Sequence, residues 1–233
     1  IRTFHSWFAA LLKAAPLAVL QRLDLPVNYE LLEDDATATA QAWRRFYQAM
    51  VDDPARKQDF LALVQAHGRS QTEKALSLAL DKRIEFVLAD AGGVVETSVR
   101  PFTDFYPELA AFADPADALC EPAVRQRWLA WATDLGKEST KTPQKAAQSV
   151  QDALAMAMAE PDGNRDSRQA LTLLRKGFFV ADEDRLTQHL TKFPAAQEAA
   201  LDLLRLCAAS RQHDAWLHQQ RMARLSRVLI SQY

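Results

Sequence analysis

Thr3, His5 and Ser6 are the residues of this chain whose types and spacing most suggest chemistry. They sit where a short β-type tripeptide, Ile1-Arg2-Thr3, runs into an amphipathic segment, Trp7 to Ala15. A helix N-terminus offers unpaired backbone N–H groups and the positive end of the dipole. Two hydroxyls and a ring donor beside it could hold a phosphate. On spacing alone, a plainer account serves equally: Ser6 is an N-cap and His5 a surface ring.

Other candidates for chemistry are weaker. Phe178-Phe179-Val180-Ala181-Asp182-Glu183 imitates a strand that ends in the acidic pair of an ATPase. Such a strand needs a phosphate loop of the form G-x-x-x-x-G-K-[ST]. The only Gly-Lys step is Gly136-Lys137, with Glu138 after it and Trp131 where the first glycine belongs. Asp182 is therefore expected to cap a short helix, with Glu183 and Asp184 at its positive end. The histidines are His5, His67, His189, His213 and His218, and none falls in a metal-ligand spacing. No catalytic carboxylate pair or activated nucleophile stands out, and no metal site is expected.

Basic residues cluster in three places: Lys137, Lys141 and Lys145; Arg165, Arg168, Arg175 and Lys176; and Arg221, Arg224 and Arg227. The last row has three-residue spacing and shares one helix face. Each cluster could neutralise DNA phosphates without reading sequence, or simply form a solvated face. Trp43, Trp128 and Trp131 lie among apolar neighbours and read as core rather than as stacking platforms for bases.

The whole-chain numbers narrow the class. In 233 residues, 48% are hydrophobic, 25% are charged and only 6 are glycine. That balance describes a globular chain, and abundant Ala and Leu favour helices. A net charge of -2 argues against a dedicated nucleic-acid binder, yet leaves room for local basic patches. No apolar run suits a membrane span and no signal peptide is visible. Cys120 and Cys207 lie far apart, as ordinary thiols of a reduced, cytoplasmic protein would.

Punctuation marks then set the elements. Asp24 to Tyr29 reads as an extended link, and Asp35 opens a helix to about Met50. Asp53-Pro54 starts the next one, which Gly68 ends. Ser70-Gln71-Thr72-Glu73 has the form of a capping box, predicting a helix to about Asp90 that Gly92-Gly93 stops. Val94 to Val99 is expected as an extended loop. Short helices are expected from Asp104 and Pro122, and a polar, mobile break over Gly136 to Pro143. Helices follow over Pro143–Glu160 and Asp166–Lys176, with a turn at Pro161–Asn164 and a stop at Gly177. A last helix runs from Pro194 to Gln232, with a possible break near Ser210. The fold class is therefore all-α: an irregular multi-helix bundle, with at most one short extended N-terminal segment.

Ile1-Arg2-Thr3-Phe4-His5-Ser6-Trp7 resembles the T-x-H-S-F motif of UvrD-like superfamily 1 DNA helicases. The following Leu11-Leu12, Pro16 and Tyr29-Glu30-Leu31-Leu32-Glu33-Asp34-Asp35 resemble the RecB/AddA (exonuclease V beta-type) branch. So does the close at Arg227-Val228-Leu229-Ile230-Ser231-Gln232-Tyr233. Trp7 stands where the family has Phe, and residues 53–188 match only in helical character. The absent initiator Met fits a piece of a longer protein.

The resemblance implies that residues 1–23 close a helicase core segment and that 24–233 form the inserted helical subdomain, called 1B. It implies that Thr3 and His5 contact the translocating strand, with Ser6 supporting the turn. Lys137, Lys141, Lys145, Arg221 and Arg224 become candidate DNA contacts. The parent would use ATP and Mg to unwind DNA in double-strand-break repair; this stretch would hold no cofactor. The implied partners are single-stranded and fork DNA and the remaining helicase domains, with no membrane. Taken alone, the chain is expected to bind DNA weakly, and Ile1 to Leu20 to be prone to swap between molecules. The alternative is a free-standing α-helical interaction protein.

Overall fold

The computed structural model describes residues 4–22, 35–158 and 166–233, and of residues 4–6 the backbone alone. Among them the fold is all-α, and the one strand-like pairing is an isolated bridge between Phe179 and Leu186. In chain order the helices are α1 (Phe4–Lys13), α2 (Leu17–Arg22), α3 (Ala36–Asp52), α4 (Pro54–His67), α5 (Arg69–Asp81), α6 (Arg83–Ala91) and α7 (Val94–Thr97). Three 3₁₀ turns follow, Phe102–Asp104, Pro107–Leu109 and Pro115–Cys120. Then come α8 (Pro122–Gly136), α9 (Lys141–Met158), α10 (Ser167–Phe178) and α11 (Pro194–Ser231).

The 38 residues of α11 make a rod about 57 Å long. Its first half packs on α8, α10 and the Pro115–Cys120 turn; its second half packs on α3, α4 and α5. Two cores result. One holds Trp128, Leu174, Phe178, Leu190 and Leu203. The other holds Phe46, Leu63, Leu76, Leu80, Leu225 and Leu229. Between them α11 turns polar. Gln212, Gln219 and Gln220 donate side-chain N–H groups to the carbonyls of Arg100, Val95 and Glu96 at 2.6, 3.0 and 3.2 Å. Carbonyls of the short helix α7 and of Arg100 beyond it thus find hydrogen-bond donors on the rod.

Some punctuation acts as expected. The Asp53 carboxylate accepts from the N–H groups of Ala55 and Arg56, and Pro54 takes the first helical position. Gly68 ends α4 at φ +82°, in the region a side chain disfavours.

Other expectations are corrected. The helix predicted to reach Asp90 is two helices, parted at Lys82. Its capping box does not form. Gly68 holds the cap position, Ser70 lies inside the first turn, and Glu73 accepts instead from Tyr47 and Arg69. Val94–Thr97 is helical rather than extended, launched by Gly93 at φ +73°. The polar break shrinks to residues 137–140, because Lys141 already begins α9 and Pro143 is buried in its first turn. Gly177 lies inside α10 and does not stop it. A Cβ there would fall 2.6 Å from the Ser149 Cβ, so this glycine permits close helix packing. α11 passes Ser210 unbroken. Asp182 caps no helix: it stands at φ +59° in the turn closed by the Phe179–Leu186 bridge. The link at 24–29, the boundary at 23/24 and the turn at 161–164 lie outside the described residues.

Candidate nucleic-acid interface

The N-terminal motif meets its helix differently from expectation. α1 is helical from Phe4, so His5 and Ser6 fall in its first turn, and Ser6 is not the cap. Thr3 lies outside the described residues. The first-turn N–H groups of α1 therefore lie on the same backbone stretch as His5 and Ser6. Further along, Trp7, Phe8 and Leu11 are about half exposed.

The arginine row of α11 turns inward to acids. Arg224 forks onto Asp59 of α4, with Nε and Nη2 at 2.7 and 2.9 Å from its two oxygens. Arg221 reaches the same carboxylate at 3.8 Å. Arg227 grips Asp90 of α6 and Glu96 of α7. Three-residue spacing revealed a common face, but what it faces is set by acids far off in sequence. These arginines fasten α11 to α4, α6 and α7.

The middle cluster is also largely neutralised. Arg168 pairs with Asp114 and Asp214, and Arg175 with Asp184 at 3.4 Å. Asp184 also meets Arg211 at 2.8 Å, and the Arg211 hydrogen bond holds its carboxyl below the usual aspartate range. Glu183 pairs with Arg185 at 2.8 Å, so Glu183 and Asp184 are ordinary ion-pair partners. Arg165 lies outside the described residues.

The lysine cluster keeps more of its charge. Lys137 bonds to Asp134 at 2.8 Å. Lys141 and Lys145 are exposed on α9, and neither has an ion-pair partner among the described residues. Lys145 lies one turn before Ser149, whose hydroxyl donates to the Lys145 carbonyl at 3.0 Å. Because Gly177 packs on Ser149, exposed Lys176 of α10 also stands beside this seam. A second basic face, unremarked in the sequence, is the outer side of α3. Gln41, Arg44, Arg45 and Gln48 line a shallow concavity of about 480 Å³. Their i, i+3, i+4, i+7 spacing was the available signal.

Between the two cores lies a cleft of about 690 Å³, bordered by His67, Arg168, Asp214, His218 and Arg221. The rings of His67 and His218 meet edge to face, 4.6 Å between centroids. Burial, then the neighbouring His67, pushes His218 below its ordinary value. Burial does the same for His213, whose Nδ1 lies between Phe102 and Trp216 with no hydrogen-bond partner among the described residues. No three His, Cys, Asp or Glu among the described residues converge to hold a metal. Cys120 and Cys207 are free thiols, and burial raises Cys207.

The aromatic expectations are met at Trp128, which is fully buried and donates Nε1–H to Asp202 at 3.0 Å. Trp131 and Trp43 are half-buried, Trp131 donating to Glu198 and Trp43 packed against Phe46 and Tyr47. No helix among the described residues is long and apolar enough to cross a membrane.

A scan against protein-family models finds no match, and neither curated proteins nor solved structures match this chain.

Proposed function

We propose that this chain is a DNA-contacting helical subdomain of an ATP-dependent DNA helicase of the RecB/AddA type. The observation that carries it is the Thr3-x-His5-Ser6 motif, whose His5 and Ser6 fall in the first turn of an amphipathic helix. A phosphate there meets backbone N–H groups, and the hydroxyls and ring add donors. The helical body fits a brace: α11 spans both cores, and its arginines hold it rigid. Contacts to DNA would come from Lys141 and Lys145, which have no ion-pair partner among the described residues, with Lys176 beside them. Arg221, Arg224 and Lys137 contribute less, because each already faces a carboxylate. ATP and Mg would be held by other parts of the parent.

A mass measurement of the native polypeptide in its source cells tests this. A mass several times 26.1 kDa, with phosphate-loop peptides before this stretch and an acidic ATPase motif after it, supports the proposal. A native chain near 26.1 kDa overturns it.

One observation favours the second reading, a free-standing interaction protein: α6 displays an uncovered apolar stripe. Salt separates the two. Phosphate contacts make affinity fall steeply with salt, whereas an interaction protein of this kind binds no DNA.

A further inference from the structure

The cleft walled mainly by α4 and α11 gathers three donor side chains that lack acceptors: Arg221, His218 and His67. Arg221 is half-buried, and its acidic neighbour is Asp59 at 3.8 Å, too far for a hydrogen bond. Arg224 already engages both oxygens of that carboxylate. Among the described residues, the side chains of Arg221, His67 and His218 make no hydrogen bond, and the His218 Nδ1 is buried without a partner. His218 and Arg221 are three apart on α11 and share a helix face, with the His67 ring edge-on to His218.

The lining selects the sign and shape of a ligand. Asp214 is the one acid among the lining residues, and Arg168 takes it. One guanidinium and two imidazoles are left to face an oxyanion. A guanidinium presents a fork that matches phosphate or carboxylate oxygens, and each ring donates at least one N–H. A phosphate monoester offers three terminal oxygens to these three groups, whereas a carboxylate offers two. Burial, then the neighbouring His67 and Arg221, disfavours the charged form of His218, and a bound anion would offset that cost. Leu63, Ala66, Val99 and Ala215 add an apolar wall that a bare ion would leave uncovered. The volume, about 690 Å³, suits a small organic molecule.

We propose that this cleft binds a small organic phosphate, with its oxygens held by Arg221, His218 and His67 and its apolar body against the wall of Leu63, Ala66, Val99 and Ala215. The inference stands apart from DNA binding and does not rest on it.

Histidine ring resonances of the full chain, followed by NMR during titration with phenyl phosphate at about pH 6.5, test it. His67 and His218 should shift together and saturate, with a Kd below about 1 mM. Arg221→Gln should weaken binding about tenfold or more. Arg221 makes no hydrogen bond among the described residues, so the variant should stay folded, and circular dichroism checks that. His67→Phe keeps a ring against His218 but removes the N–H, and should weaken binding about threefold or more. Arg125→Gln, an exposed arginine of α8 outside the cleft, should bind as the unaltered chain does. Inorganic phosphate should bind about tenfold more weakly, since it covers no apolar wall. The proposal is overturned if the rings show no saturable shift up to about 20 mM phenyl phosphate. Equal losses in Arg125→Gln and Arg221→Gln would also overturn it, as would unchanged binding in both Arg221→Gln and His67→Phe, or inorganic phosphate binding as tightly. Shifts given by a single-stranded oligonucleotide but not by phenyl phosphate would overturn it too, and would assign the cleft to DNA.

Discussion

Arg227 of α11 donates to both carboxylate oxygens of Asp90 in α6, at 2.8 and 2.6 Å. The same guanidinium reaches Glu96 of α7 at 2.7 Å. This fork compensates for α6 having no buried side chain. It also explains why Asp90 sits below its usual range, the Arg227 hydrogen bond being the main cause. Arg227→Leu should therefore destabilise the chain by about 1 kcal/mol, a figure kept low because the pair is partly solvated. It would also leave Asp90 and Glu96 facing each other. Urea unfolding checks this, and the loss should shrink in high salt.

Trp128 is fully buried between helices, its ring edge-on to Phe178 at 5.9 Å. Its Nε1–H shares Asp202 with Arg127. Trp128→Ala should cost about 3 to 5 kcal/mol through the cavity it leaves. Trp128→Phe should cost less, its loss coming mainly from the vacated volume and the missing bond to Asp202. Equilibrium unfolding of both variants separates packing from the hydrogen bond.

At Gly177, an added methyl meets the Ser149 side chain at 2.6 to 2.7 Å. Elsewhere in a helix, Gly→Ala stabilises. Here Gly177→Ala should destabilise by about 1 to 3 kcal/mol. Ser149→Gly in the same chain should recover much of that, giving a coupling that a double-mutant cycle reads directly.

Gly177 also shows where sequence reasoning stops. A glycine near a helix end reads as a stop, and only the α9–α10 approach reveals it as a contact. The all-α class was legible because periodicity and composition are local properties of the chain. Asp53-Pro54 and Gly68 were legible because caps act within a few residues. The Ser70–Glu73 box failed because Gly68 took the cap and Tyr47, 26 residues before Glu73, captured its carboxylate. The pairing of Arg221 and Arg224 with Asp59 was hidden for the same reason, since Asp59 lies over 160 residues away in sequence. Non-local charge pairs leave no trace in spacing. Lys141 and Lys145 are exposed on α9, as a polar stretch of sequence leads one to expect.

Stability should fall on acidification in two stages. His213 is faced by Asp114, Arg168, Asp214 and Arg221, and His218 by His67 and Arg221. Both titrate below the ordinary 6.5 in the folded chain, so the unfolded chain binds more protons between the folded value and 6.5. Stability is then full above 6.5 and declines below it. Glu73, Asp90 and Asp184 are also held low, so their contribution is present above the usual carboxylate values and is lost as pH drops through the folded ones. His213→Phe should reduce the first stage to the His218 share while leaving the second. Unfolding midpoints from pH 7 down to about 2 check the order; a midpoint constant between 7 and about 5 contradicts it.

DNA binding by this chain alone should be weak, with Kd above about 1 µM at moderate salt, because the motif acts within a channel that other parts of the parent complete. Lys141→Gln and Lys145→Gln should each lower the slope of log affinity against log salt by about 1. Arg224→Gln should leave that slope unchanged and lower the unfolding midpoint instead, since its guanidinium serves Asp59. Fluorescence anisotropy with single-stranded and forked oligonucleotides over a salt series reads both effects. If Arg224→Gln cut the slope while the lysine changes did not, the arginine face would have to open onto DNA. Submicromolar binding by the unaltered chain would mean that the lysine seam, or the basic face of α3 at Arg44 and Arg45, forms a complete site by itself.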